Sequence, residues 1–206
     1  MIYEVRTYTL KVGSVSEFEK RFGEALPARQ EFSPCAALLH SEIGPLNQVI
    51  HIWPYESQAE RERLRAEAAK AGVWPPKVGE FVLDQQVEIM LPAPFMKPLG
   101  SRDFGSGNIY EMRSYNYQVG AMPKVLDLWG QVIAQREEHS PLVACWYSDA
   151  GQLNKFVHTW VYKDFAERDR VRQEIFKGSY WPPKTGEWLL RQENKILAGA
   201  AFSALR

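Results

Sequence analysis

Cysteine is almost absent from this chain, with two in 206 residues, Cys35 and Cys145. Two thiols cannot form a disulfide framework, and they point to a reducing compartment. Histidine is nearly as scarce: His40, His51, His139 and His158 stand too far apart in sequence for zinc-ligand spacing. Neither sign of charge is in excess, since 25 Lys and Arg balance 25 Asp and Glu. That balance excludes the basic footprint of a nucleic-acid binder and leaves no acidic tail. Long apolar runs are missing as well. The opening MIYEVRTYTL alternates like a strand without a signal peptide's apolar core, and AGAAFSALR is too short to cross a bilayer. Phosphate-loop, dinucleotide-glycine, Cys-x-x-Cys and His-Glu-x-x-His patterns do not occur. The expectations are therefore no nucleic acid, no membrane, no metal, no cofactor and a cytoplasmic location.

Aromatic residues, by contrast, are plentiful at 13%, seven of them Trp, which calls for large buried surfaces or an aromatic-lined cavity. They also recur. NQVIHIWPY (47–55) returns as NKFVHTWVY (154–162), keeping Asn, His, Trp and Tyr while the residues between them drift. Sliding the chain by 107 residues aligns it end to end without a gap, and 38 of the 99 pairs starting at residue 1 are identical. IYEVRTYTLKVG falls on IYEMRSYNYQVG, and WPPKVGE on WPPKTGE. Two homologous modules are thus expected, 1–91 and 109–206, joined by a Pro-, Gly- and Ser-rich linker at 92–108.

Within a module, residues 2–10 alternate as a strand, and 14–31 carry Phe18, Phe22 and Leu26 at helical spacing. Two strands follow at 36–43 and 47–55 around Gly44-Pro45. Ser57 with Glu60, and Asp164 with Glu167, are capping signals for a second helix to about residue 71; Trp-Pro-Pro-Lys breaks it, and 80–90 form the last strand. This βαββαβ order is an α+β, ferredoxin-like plan with the third strand beside the first. Helices cover only one face of such a sheet. The bare faces of the two modules should therefore pack together as an α+β barrel with a central cavity, related by a pseudo-twofold axis. The linker permits closure within one chain or with a second, which leaves a homodimer open.

Along strand one, Ile2, Glu4, Arg6 and Tyr8 share a face and all recur, as Ile109, Glu111, Arg113 and Tyr115. In strand three Asn47, His51, Trp53 and Tyr55 recur as Asn154, His158, Trp160 and Tyr162, while Ile50 and Ile52 become Val157 and Thr159. The drifting apolar set is expected under the helices and the repeated polar, aromatic set on the bare face. His51 and His158 are candidate acid–base catalysts, since imidazole titrates near neutrality. Arg6 and Arg113 could clamp an anion, with Tyr8, Trp53, Tyr55, Tyr115, Trp160 and Tyr162 shaping a substrate wall. Each has a plainer alternative: a hydrogen-bonded core histidine, an arginine paired with Glu4 or Glu111, a packed tryptophan. Trp74 and Trp181 read as anchors of the helix-to-strand turn, and the arginines of AERERLR (59–65), repeated at 166–172, as a solvated helix face.

The E-x-R-x-Y opening, the H-x-W-x-Y strand, the W-P-P-K segment and the βαββαβ plan resemble the NIPSNAP family of the dimeric α+β-barrel superfamily, across both halves. The resemblance implies a ferredoxin-like barrel and no agreed reaction; superfamily relatives include cofactor-free monooxygenases, isomerases and haem enzymes. A haem ligand on the second helix is missing here, leaving only His139 near the end of a first helix. The expected function is binding or turnover of a small acidic or aromatic metabolite, by cofactor-independent oxygenation or proton transfer. The rival is a non-catalytic interaction module whose polar face only locks the two halves together. The second half, with Trp146, Tyr147 and Phe156, is expected to hold the more aromatic pocket.

Overall fold

A computed structural model describes all 206 residues. The first module runs β1 (Ile2–Leu10), α1 (Val15–Gln30), β2 (Ala37–Ile43), β3 (Gln48–Tyr55), α2 (Gln58–Lys70) and β4 (Val82–Pro92). The second repeats it as β5 (Ile109–Tyr117), α3 (Met122–Glu137), β6 (Leu142–Ala150), β7 (Lys155–Tyr162), α4 (Phe165–Ile175) and β8 (Leu189–Gly199). The capping signals do what side chains at a helix start must do. Ser57 Oγ accepts from the Glu60 N–H and Asp164 Oδ1 from that of Glu167, occupying donors that the first turn leaves free. No helix is long and apolar enough to cross a membrane.

The eight strands close into one antiparallel barrel in the order β1-β3-β2-β8-β5-β7-β6-β4. Closure takes place within the single chain, through the seams β2–β8 and β4–β6. Those seams share one register: Leu39 faces Gly199 at the first, and their counterparts Trp146 and Pro92 face each other at the second. Ladder pairs inside the modules repeat likewise, Arg6 opposite His51 and Arg113 opposite His158. The modules are therefore related by a pseudo-twofold axis. Chemistry near the seams differs between them: Lys155 Nζ donates to Glu88 at 2.6 Å, whereas Lys195 Nζ donates to Gln48 at 2.7 Å.

The face assignment drawn from the sequence is reversed. Ile50 and Ile52 point into the barrel, packed with Tyr3, Val5, Met90 and Tyr110 in a core shared by both modules. The repeated set faces outward and is buried beneath the helices, His51 lying 5.2 Å from Phe22 of α1 between ring centroids. Period-two alternation identifies two faces but not which one a helix will cover. Inner-face residues of the two modules meet each other, so they can drift in compensating ways; outer-face residues must fit the same helix twice. Nor is the barrel hollow. Its interior is filled by large side chains, with Tyr3 and Trp146 at 5.5 Å, as an eight-stranded barrel allows.

Asn47 and Asn154 belong to neither face. Both take the left-handed backbone at φ 55°, and their carbonyls accept the Leu10 and Tyr117 N–H groups at 2.8 and 2.9 Å. A short polar side chain tolerates that conformation, so the recurrence of Asn is a turn requirement.

Because the core is shared, the modules should unfold together. Leu197→Ala, at a fully buried inner position of β8, should cost about 2–5 kcal/mol. Circular dichroism and tryptophan fluorescence in urea should report one coincident transition moved to lower urea; two separated transitions would contradict the shared core.

Candidate functional site

Between the outer face of each sheet and its helices lies a polar cluster surrounded by aromatic rings. At its centre is a fully buried carboxylate, Glu4 or Glu111. Arg6 Nη1 donates to Glu4 at 2.6 Å and Arg61 Nη2 at 2.9 Å, with Arg65 at 3.5 Å. In the second module Arg113 Nη1 and Arg168 Nη2 each donate to Glu111 Oε1 at 2.8 Å, Asn194 at 3.2 Å, and Arg172 stands 3.9 Å from Oε2. Burial alone would raise these carboxyls, but the arginines outweigh it and hold both below the usual range. The pairing of Arg6 with Glu4 and of Arg113 with Glu111 follows the plainer sequence reading. Arg61, Arg65, Arg168 and Arg172 do not form a solvated face; they reach down from α2 and α4 to the buried carboxylates.

A fourth arginine in each module was not singled out from the sequence. Arg29 of α1 and Arg136 of α3 are 1% and 2% exposed. Arg136 donates to Ser140 Oγ at 2.9 Å and Tyr162 OH at 3.2 Å, and its guanidinium lies 4.0 Å from the Trp160 ring centroid. Arg29 repeats this with Ser33, Tyr55 and Trp53. Neither forms an ion pair, and both Nε donors lack a partner. The signal was available: ARQEFSP (28–34) and QREEHSP (135–141) keep Arg, Glu, Ser and Pro in register while the three residues between and before them change.

The histidines are fixed by their tryptophans. Trp53 Nε1–H donates to His51 Nδ1 at 2.6 Å, and Trp160 Nε1–H to His158 Nδ1 at 2.7 Å. Indole can only donate, so Nδ1 is the acceptor and a neutral ring carries its proton on Nε2. Burial, then Arg6 and Arg65 beside His51, push that imidazole's pKa well down; burial, then Arg113, Arg136 and Arg172, do so for His158. Both Nε2 atoms are buried without a hydrogen-bond partner. Each is a neutral ring with one unused donor.

The two modules differ in the space they leave. The second encloses about 400 Å³, lined by Glu111, Arg113, Arg136, His158, Trp160 and Trp181 among others; the first leaves about 150 Å³, lined by Tyr8, His51, Phe18, Phe22, Trp74 and Gln85 among others. Only the larger falls in the range of about 300–1,000 Å³ usual for ligand sites. Phe18 of α1 occupies the position of Val125 and narrows the first cavity. Of the sequence candidates, Arg113, Tyr115, His158, Trp160 and Tyr162 line the larger cavity and Tyr8 and His51 the smaller; Arg6, Trp53 and Tyr55 line neither. Trp74 and Trp181 are more than turn anchors, since Trp181 stands edge-on to Trp129 at 5.0 Å and forms a wall. None of the three aromatics expected to enrich the second pocket lines it: Trp146 points into the barrel, Phe156 packs with Trp129 under α3, and Tyr147 packs half-buried against the same cluster as Phe156. His139 is not part of the lining.

A tandem α+β barrel with an arginine-rich, aromatic cavity under the helices of one half is thus the class that fold and site define. The NIPSNAP family pattern matches the chain twice, over residues 3–97 and 110–204. The chain belongs to the NIPSNAP family. It is 26% identical to a NipSnap homolog of Dictyostelium discoideum over 87% of its own length and 78% of the relative's. Human NipSnap homolog 2 is 24% identical, with the same share of this chain and 65% of the relative covered. In fold it resembles a candidate monooxygenase of Fusobacterium nucleatum, with a TM-score of 0.67 at 10% identity over 97% of this chain and 92% of the other. An anthrone oxidase-like protein gives 0.60 at 11% identity over 98% and 93%. At such identities the likeness concerns fold alone.

The cluster sets an acid limit on stability. Histidines with a depressed folded pKa bind protons more readily when unfolded, so stability falls as pH drops below their unfolded value of about 6.5. Glu4 and Glu111, also depressed, add a second loss as pH falls below about 4.5. The His51→Gln/His158→Gln variant should lose the first limb, a slope of up to about 2.7 kcal/mol per pH unit for two histidines. His40, raised by Glu19 and Glu42 and so opposite in sign, is common to both proteins and cancels. Urea titrations across pH 5–7 would check this; equal slopes would contradict a neutral pair.

Proposed function

We propose that the second module binds a small planar anion, an acidic or aromatic metabolite, in the 400 Å³ cavity. The observation that carries this reading is that His158, whose Nε2–H has no partner, lines a cavity together with Arg113, Arg136 and Arg172 against the single carboxylate of Glu111. A buried donor without a partner is costly, and an excess of buried guanidinium favours an anion. A carboxylate, enolate or phenolate satisfies both, while Trp129, Trp160 and Trp181 offer faces and edges to a flat body.

His158 acts in this scheme as a hydrogen-bond donor. Its Nδ1 is occupied by Trp160 and its charged form is disfavoured, so it is poorly placed to accept a proton near neutral pH. What it can do, with the arginines, is stabilise negative charge on a bound oxygen. That suits chemistry passing through an enolate or phenolate, including cofactor-independent oxygenation or proton transfer. The rival reading, in which the polar face locks the halves together, lacks support: the modules meet through an apolar core, away from this face.

A thermal-shift panel of small carboxylates, benzoate included, tests the proposal. A ligand at 100 times its Kd should add about 2.7 kcal/mol of apparent stability. His158→Ala should abolish that response and His51→Ala should keep it. A response unchanged in His158→Ala, or no carboxylate that binds, would overturn the reading.

A further inference from the structure

The two ends of the barrel are finished differently. At one end, residues following β4 close the interior: Met96, Leu99 and Phe104 pack on the inner core, and the Leu99 N–H donates to Tyr3 OH at 3.3 Å. At the other end the rim is bare. Val12, Leu46 and Leu83, near the end of β1 and the starts of β3 and β4, are 90%, 62% and 63% exposed. Their counterparts Val119, Leu153 and Leu190 are 90%, 63% and 66% exposed. Each pair is identical in residue type and alike in exposure, although most positions differ between the copies. Neighbouring strands alternate in direction, so β1 and β5 run the same way and the pseudo-twofold runs along the barrel axis. All six apolar side chains therefore crown one end.

Two strand edges are open there as well. β4 pairs with β6 only through Ile89–Pro92, and β8 with β2 only through Ile196–Gly199. Residues 82–88 and 189–195 thus each keep an unpaired edge, and 83–87 and 190–194 are exposed on both faces. Unpaired edges flanked by bare leucines are a template for another chain.

We propose that this end docks a second copy of the same chain, barrel end to barrel end, about a dyad perpendicular to the barrel axis. The rim has the pseudo-twofold symmetry of the chain itself, so an identical rim from a second copy, in an isologous contact, covers both halves alike. Charge points to the same occupant. Asp84 and Arg191 are exposed equivalents of opposite sign, Arg191 pairing within its own strand to Glu193. A dyad at right angles to the line joining them sets Asp84 on Arg191 of the partner subunit, twice over. The rim lacks the basic excess that would recommend an anionic lipid surface.

Sedimentation velocity on the full chain over a concentration series tests this. The expected result is a monomer–dimer equilibrium that Leu83→Asp/Leu190→Asp abolishes, with the unfolding midpoint unchanged at dilutions where both proteins are monomeric, because both leucines are exposed in the monomer. Asp84→Arg and Arg191→Asp should each weaken the dimer roughly tenfold, since each reversal acts at two symmetric contacts, and the double reversal should restore it. A monomer at every concentration would overturn the proposal and leave inward-pointing charges such as Glu88 and Lys195 as the device that protects the edges. A dimer indifferent to the leucine substitutions would overturn it equally.

Discussion

Four arginines cannot gather under a helix without an anion to hold them, and the buried carboxylates of Glu4 and Glu111 are what permit the arrangement. Each is fixed on a central strand and draws in an arginine from its own strand and others from the following helix. That contact ties helix to sheet from the polar side, while Phe18, Phe22 and Leu26, or Val125, Trp129 and Ile133, tie the first helix from the apolar side. One carboxylate does not satisfy the whole set. Arg29 and Arg136 rest on hydroxyls and indole faces instead, which leaves the cluster short of negative charge where the second module opens its cavity.

Space, rather than chemistry, separates the halves. The histidine–tryptophan bond, the arginine–glutamate pair and the arginine–tyrosine contact recur with nearly equal lengths. What changes is the packing around them, with Phe18 for Val125, Phe22 for Trp129 and Val78 for Thr185. A site framework can thus persist in a module too full to admit a ligand, because the framework also holds helix to sheet.

Much of the fold was legible in the sequence because repetition supplied what propensity alone does not. The 107-residue shift exposed the modules, and the alternation of residues 2–10 and 47–55 located β1 and β3 nearly to the residue. The faces were illegible. Ile50 and Ile52 look like residues that pack under a helix, yet a closed barrel demands an equally apolar lining, and alternation cannot distinguish the two. The histidines and Arg113 were readable as a constellation through their common spacing. Arg136 was not, since a lone arginine on an amphipathic helix resembles any surface arginine until the strand hydroxyl of Tyr162 is brought to it across 26 residues. The solvated reading of AERERLR failed for a related reason: neighbouring glutamates satisfy Arg63 but not Arg61, which turns toward Glu4.

The central claim, that His158 presents a neutral Nε2–H to an anion, is open to direct observation. Nitrogen-15 NMR of the imidazole reports both tautomer and charge. Between about pH 6 and 8 the account predicts a neutral ring protonated at Nε2, with the Nε2 proton moving downfield when benzoate is added. A charged imidazolium in that range, a proton on Nδ1, or an Nε2 proton indifferent to saturating benzoate would contradict it.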